Sequence, residues 1–209
     1  MSSMTSGRTA LRRSLTAVRI GAVVSLLAVA GACGSAEATT TTAPEPTAAA
    51  FGGTVISPAR LIAGQAVPAP AEKPVFTMAG QISATNSGGA LVLDRPTIEQ
   101  LSVHQVELYE PWVKKNMMFR GVWLQDLLAV AGVAPGATRL HITALDDYAV
   151  DLSLADIKAG GIMLATRTGD GSVIPIDEGG PTRIVFMDDV KAGANADQWV
   201  WSIKSIDVI

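Results

Sequence analysis

A single cysteine, Cys33, sets the first limit on what this chain can fold into. No disulfide can form within one molecule, and no zinc or iron–sulfur site can be assembled from cysteine pairs. Any domain must be held by its apolar core alone. The 209 residues supply enough chain for such a core.

The surroundings of Cys33 suggest why it is there. Arg8, Arg12, Arg13 and Arg19 make a basic start, and no acidic residue precedes Cys33. Residues 20–32 form a run of 13 apolar and small residues broken only by Ser25. That is too short to span about 30 Å of hydrocarbon as a helix. A basic start, a short apolar stretch and small residues at its exit describe an export signal, assigned here to residues 1–32. Ala30-Gly31-Ala32-Cys33 resembles a lipobox, the cleavage site of bacterial lipoproteins. Small residues admit the protease, and the thiol of Cys33 accepts the lipid. The alternative is an ordinary secretory signal cut nearby, with Cys33 left as a free thiol. Arg12-Arg13-Ser14-Leu15 is a partial twin-arginine motif, so the export route stays open. The expected location is the outer side of the cytoplasmic membrane, with the membrane as a partner through two or more acyl chains.

Residues 33–72 are rich in Ala, Thr and Pro and read as the lipidated cysteine followed by a disordered tether. Residues 51–62 are more apolar than the rest, consistent either with linker or with a segment docked on the domain. Sixteen basic residues, less the four leader arginines, leave twelve against nineteen acidic ones, a balance near −7. That argues against nucleic acid as a partner.

The folded domain is expected over residues 73–209. Residues 75–81, 90–93 and 103–109 have strand character, with a helical turn at 96–101 between the last two. Residues 122–131 make the best helix, with Leu124, Leu127, Leu128 and Ala131 on one face and Gly132 as its stop. Residues 139–145 and 148–152 form a hairpin around Asp146-Asp147. Ser153 caps a short helix that Gly160-Gly161 ends. Residues 162–166, 173–176, 183–187 and 198–209 complete the strands, the last with Trp199, Trp201 and Ile203 on one face. Many short strands with few helices give a β-rich mixed α+β domain.

Several segments, in order, carry a resemblance. Phe119-Arg120-Gly121-Val122-Trp123-Leu124-Gln125-Asp126-Leu127-Leu128 resembles the helix entry of the sulfite-oxidase-type molybdopterin-binding domain. Asp146-Asp147-Tyr148 resembles that family's Asp-Gly-Tyr hairpin. Gly179-Gly180-Pro181-Thr182-Arg183-Ile184-Val185 resembles its Gly-x-Pro-x-Arg segment, and Trp199-Val200-Trp201-Ser202-Ile203 its C-terminal strand. The resemblance covers about residues 74–209 and implies a β-rich α+β fold that holds a pyranopterin. Full members of the family bind molybdenum through a cysteine thiolate in the segment before that helix. Here the segment reads Leu108-Tyr109-Glu110-Pro111-Trp112 and has no thiol, like a short cysteine-less branch of the family.

Two readings remain open at this point. In one, the fold binds a small anionic ligand or an envelope protein without redox catalysis. In the other, the chain is a molybdopterin-dependent oxidoreductase domain or subunit, with the molybdenum lacking its usual ligand. Arg183, Arg120 and Arg167 are the candidate cofactor- or anion-binding residues, because guanidinium groups pair with phosphate and carboxylate. A cofactor site would bring all three to one deep cleft. Tyr148 and Asp147 join them through the hairpin motif. No catalytic residue and no metal ligand can be assigned. Neither Gly-x-Ser-x-Gly nor a phosphate-binding loop is present, and His104 and His141 have no metal-binding spacing.

Overall fold

The computed structural model describes residues 51–209. The export signal, the lipobox with Cys33 and the Thr-rich start of the tether lie outside the described residues. No helix among the described residues is long and apolar enough to cross a membrane.

Among the described residues, ten strands form two five-stranded sheets. The first has β1 (Thr54–Ser57), β4 (Val103–Glu110), β5 (Lys115–Trp123), β8 (Ile162–Thr168) and β9 (Arg183–Phe186) in spatial order, all antiparallel. The second runs β3 (Leu91–Leu93), β2 (Phe76–Gly80), β10 (Ile203–Val208), β6 (Arg139–Ala144) and β7 (Ala149–Ser153). Its β10–β2 pair is parallel and the others antiparallel. One cluster of buried apolar residues draws on both sheets, including Met78, Leu91, Val122, Leu140, Leu164, Ile184 and Ile206. The domain is therefore α+β and β-rich, as the sequence suggested.

The helices are α1 (Arg95–Ile98), α2 (Leu124–Ala131) and α3 (Leu154–Ala159). In α2 the residues Leu124, Leu127, Leu128 and Ala131 are all buried, and Gly132 closes the helix in a left-handed conformation. This is the apolar stripe that the i, i+3, i+4, i+7 spacing dictates. The Ser153 side chain accepts a hydrogen bond from the Ala155 amide and opens α3.

Four expectations need correction. First, the domain begins well before residue 73. β1 pairs with the edge of β4, Leu61 and Val67 are buried, and the Phe51 ring meets Trp123 edge-on at 5.9 Å. Composition registered the alanines and prolines of this stretch and missed Thr54, Val55 and Ile56, whose branched side chains suit a strand. Second, residues 115–123, given no element beyond the start of the helix, form the nine-residue β5. Its C-terminal part is buried on both faces, so no alternation marks it. Gly121 lets β5 pass close to β8, since a Cβ there would collide with the Leu164 carbonyl. Third, residues 173–176 make one bridge, Val173 to Arg167, and then a 3₁₀ turn at Ile176–Glu178. Fourth, β10 starts only at Ile203, because Ser202 has a positive φ of 51° that breaks the alternation after Trp201.

Candidate functional site

Strand parity leads into the site. Along β4, Val106 and Leu108 point inward, and the next inward position is Glu110. Its carboxylate is therefore carried into the core, with 0% of the residue exposed. It forms an ion pair with Arg183, which is 1% exposed. The other Glu110 oxygen accepts the Val113 amide at 2.7 Å, closing the turn between β4 and β5. Arg183 Nη1 donates to the Glu178 carbonyl at 3.0 Å. The guanidinium lies 5.2 Å from the Phe119 ring centre and 4.3 Å from that of Trp201. Burial pushes the Arg183 pKa down, and the adjacent Glu110 carboxylate opposes that shift.

Beyond Trp201 the structure opens. A cleft of about 390 Å³ is lined by Trp112, Ala144, Asp146, Tyr148, Ala196, Asp197, Trp199 and Trp201. Three pieces of chain build it: the β4–β5 turn, the β6–β7 turn and the segment leading into β10. Asp146 Oδ1 accepts the Tyr148 amide at 3.1 Å, and the Tyr148 hydroxyl donates to the Asp197 carbonyl at 2.7 Å. These two bonds set the tyrosine ring as a wall. The Leu145 amide donates to the Ser202 carbonyl at 2.8 Å and ties the hairpin to the tryptophan segment. Trp199 is anchored by its indole N–H to the Gly193 carbonyl at 2.9 Å. Trp201 rests on Gly179, where φ is 89° and a Cβ would stand 2.8 Å from the indole ring.

The three candidate arginines do not converge on one cleft, the arrangement that a cofactor site would require. Arg183 is consumed by Glu110, a partner 73 residues away that the sequence did not single out. Arg120 and Arg167 face each other across β5 and β8. Arg120 Nε donates to the Gln105 side chain at 2.8 Å. Arg167 holds Glu99 with two bonds, 2.7 and 3.0 Å, which raise its pKa, and donates to the Gly171 carbonyl. None of the three lines the aromatic cleft. Asp147 points away too, paired with Lys204 at 2.7 Å, which lowers its pKa. Tyr148 alone of the five lines the cleft. The sequence analysis did not single out Asp197 or Trp112, and it placed Trp199 and Trp201 only on one face of the C-terminal strand. The only signal for them was their clustering near the hairpin motif and the C-terminal strand.

Among the described residues, no group of three His, Cys, Asp or Glu side chains is placed to hold a metal ion. His104 is half-buried beside Trp123, and burial lowers its pKa. His141 pairs with Asp151 at 2.8 Å.

Comparison with known proteins places this geometry. The oxidoreductase molybdopterin binding domain family matches residues 97–208, more than half the chain. The chain is similar in fold to the sulfane dehydrogenase SoxCD from Paracoccus pantotrophus. That match has a TM-score of 0.50 at 16% identity and covers 64% of this chain. The chain spans only 37% of the length of that protein. No curated protein matches the chain significantly.

The aromatic cleft and the segment before α2, among the described residues, do not fit the cofactor that this family name implies. A pterin phosphate needs cations, and the cleft lining offers two carboxylates and neither lysine nor arginine. A metal would need a free donor in the segment before α2. Glu110, the carboxylate there, already accepts from Arg183 and from the Val113 amide.

Proposed function

This chain belongs to the oxidoreductase molybdopterin binding domain family, and from that premise we propose that it is a ligand-binding lipoprotein of the cell envelope without redox catalysis. The leader is removed before Cys33, and lipid on Cys33 tethers the domain to the outer side of the cytoplasmic membrane. The domain uses its open cleft for a small ligand or for an envelope partner.

One observation carries the reading. In the segment before α2, Glu110 is tied up in an ion pair with Arg183, and both partners are almost fully buried. A carboxylate that holds a guanidinium and an amide has little left to give a metal. Opening the pair would leave two charges in the core, at a cost of several kcal/mol.

A second reading, a molybdopterin-dependent oxidoreductase domain or subunit, is favoured by the family match itself. Metal and pterin content separates the two. The full chain would be produced in a molybdenum-replete host and analysed for both. The non-redox reading expects far less than one molybdenum and one pterin per chain. Near-stoichiometric metal with pterin would establish the second reading. The anchor is tested by the mass of the N-terminal peptide, which should carry acyl chains on Cys33. An unmodified thiol would remove the lipoprotein assignment.

A further inference from the structure

We propose that the aromatic cleft binds a small organic cation, specifically a methylated quaternary ammonium group. This deepens the ligand-binding reading above and rests on it. The walls are Trp112, Tyr148, Trp199 and Trp201, four aromatic side chains around about 390 Å³. That volume is at the small end of ligand sites. The polar members are Asp146 and Asp197, and neither carboxylate is in an ion pair among the described residues. The lining contains no cation, and its charge repels an anion.

Electron-rich ring faces attract a cation most strongly when the cation is weakly hydrated. A methylated ammonium has no N–H to satisfy and presents methyl groups to the rings, so it loses little on leaving water. A primary ammonium is a compact, strongly hydrated charge and loses more on leaving water for ring faces. The carboxylates then supply charge at the rim. Trp112 is 54% exposed and Tyr148 44% exposed, so much of their ring surface remains open. Phe51, Phe76, Phe119, Trp123 and Phe186, the five buried or half-buried rings elsewhere among the described residues, lack this exposure. Arg183 does not line the cleft, and its guanidinium, 4.3 Å from the Trp201 ring centre, is ion-paired with Glu110.

The ligand group has two plausible sources, a free metabolite or the headgroup of a lipid, and the test separates them. Titration of the full chain in nonionic detergent, followed by tryptophan fluorescence and calorimetry, would use tetramethylammonium, choline, glycerophosphocholine, the neutral isostere 3,3-dimethylbutanol and inorganic phosphate. Choline should bind at least tenfold tighter than the neutral isostere. Trp112→Ala should weaken it at least tenfold and Asp197→Asn several-fold, with unchanged melting temperatures. Glycerophosphocholine tighter than choline would point to a lipid headgroup, and the reverse to a free cation; either supports the site. Equal affinity for choline and its isostere, no binding of either, or competition by phosphate would overturn it. Those failures leave the non-redox reading intact unless the same preparation also contains molybdenum and pterin.

Discussion

Trp201 touches two regions built on opposite plans. On one side is the Glu110–Arg183 pair, enclosed by Phe119, Trp201 and the carbonyl of Glu178. On the other is a cleft whose outer walls, Trp112 and Tyr148, are each about half exposed. In the first region both charged groups are used within the fold, although Arg183 Nε, Trp201 Nε1 and Thr182 Oγ1 find no partner. In the second, carboxylates and ring faces remain available. The contrast teaches where this chain keeps its binding capacity. Charges in the buried region contribute to holding three segments together, while groups at the cleft are free to meet something else. A guanidinium in a family motif position is thus not by itself a ligand-binding group; its partner decides.

Substitutions should separate the two regions. Glu110→Ala leaves Arg183 buried without its carboxylate and should cost about 3–5 kcal/mol in urea unfolding. Next comes Asp94, another closed polar site but far from the cleft in sequence. It is fully buried and accepts the amides of Thr97, Ala71 and Glu72 at 2.9, 2.7 and 2.8 Å. Asp94→Ala should cost about 2–4 kcal/mol through the lost helix cap and the stranded amides.

That second cost should depend on pH. Burial raises the Asp94 pKa, but the hydrogen bonds from Thr97, Glu72 and Ala71 together bring it below its ordinary value. A lowered folded pKa gives stability that is fully present above the unfolded value, about 4, and is lost as pH falls through the folded one. The gap between wild type and Asp94→Ala should therefore narrow in unfolding curves taken below about pH 4. A gap that widens on acidification would reverse the assigned sign.

On the open side, Trp112→Ala should change stability by no more than about 0.5 kcal/mol, as for most exposed positions. A large loss would mean that the turn is part of the buried framework and that the contrast is wrong. The smallest effect belongs to Lys204→Ala. It removes only the exposed contact to Asp147 and should leave the thermal midpoint unchanged within error.

Much of the framework was legible in the chain. The spacing of Leu124, Leu127, Leu128 and Ala131 identified α2, and Ser153 with Gly160 bounded α3. The hairpin of β6 and β7 followed from its Asp-Asp turn, where Asp147 takes a φ of 65°. β5 was hidden because Phe119, Val122 and Trp123 are buried without a period of two. β1 was hidden because four residues in an Ala/Pro-rich stretch carry little signal until the free edge of β4 is known. The site was less legible. Tyr148 was found through its motif, but Asp197 and the tryptophans reach it from segments up to 89 residues apart in sequence, from Trp112 to Trp201. Arg183 was found but its partner was not, since Glu110 sits on another strand whose inward parity only the fold makes plain.

The Glu110–Arg183 pair is the centre of this account, and the most direct measurement is a double-mutant cycle with apolar replacements of similar size. Glu110→Leu, Arg183→Met and the double variant would be unfolded in urea beside the wild type. Each single variant should lose several kcal/mol, and the double variant should recover at least about 2 kcal/mol relative to the sum, as expected when one buried charge no longer faces an empty partner position. Losses that simply add, or single variants as stable as the wild type, would contradict the account and return Arg183 to the list of groups free to bind a ligand.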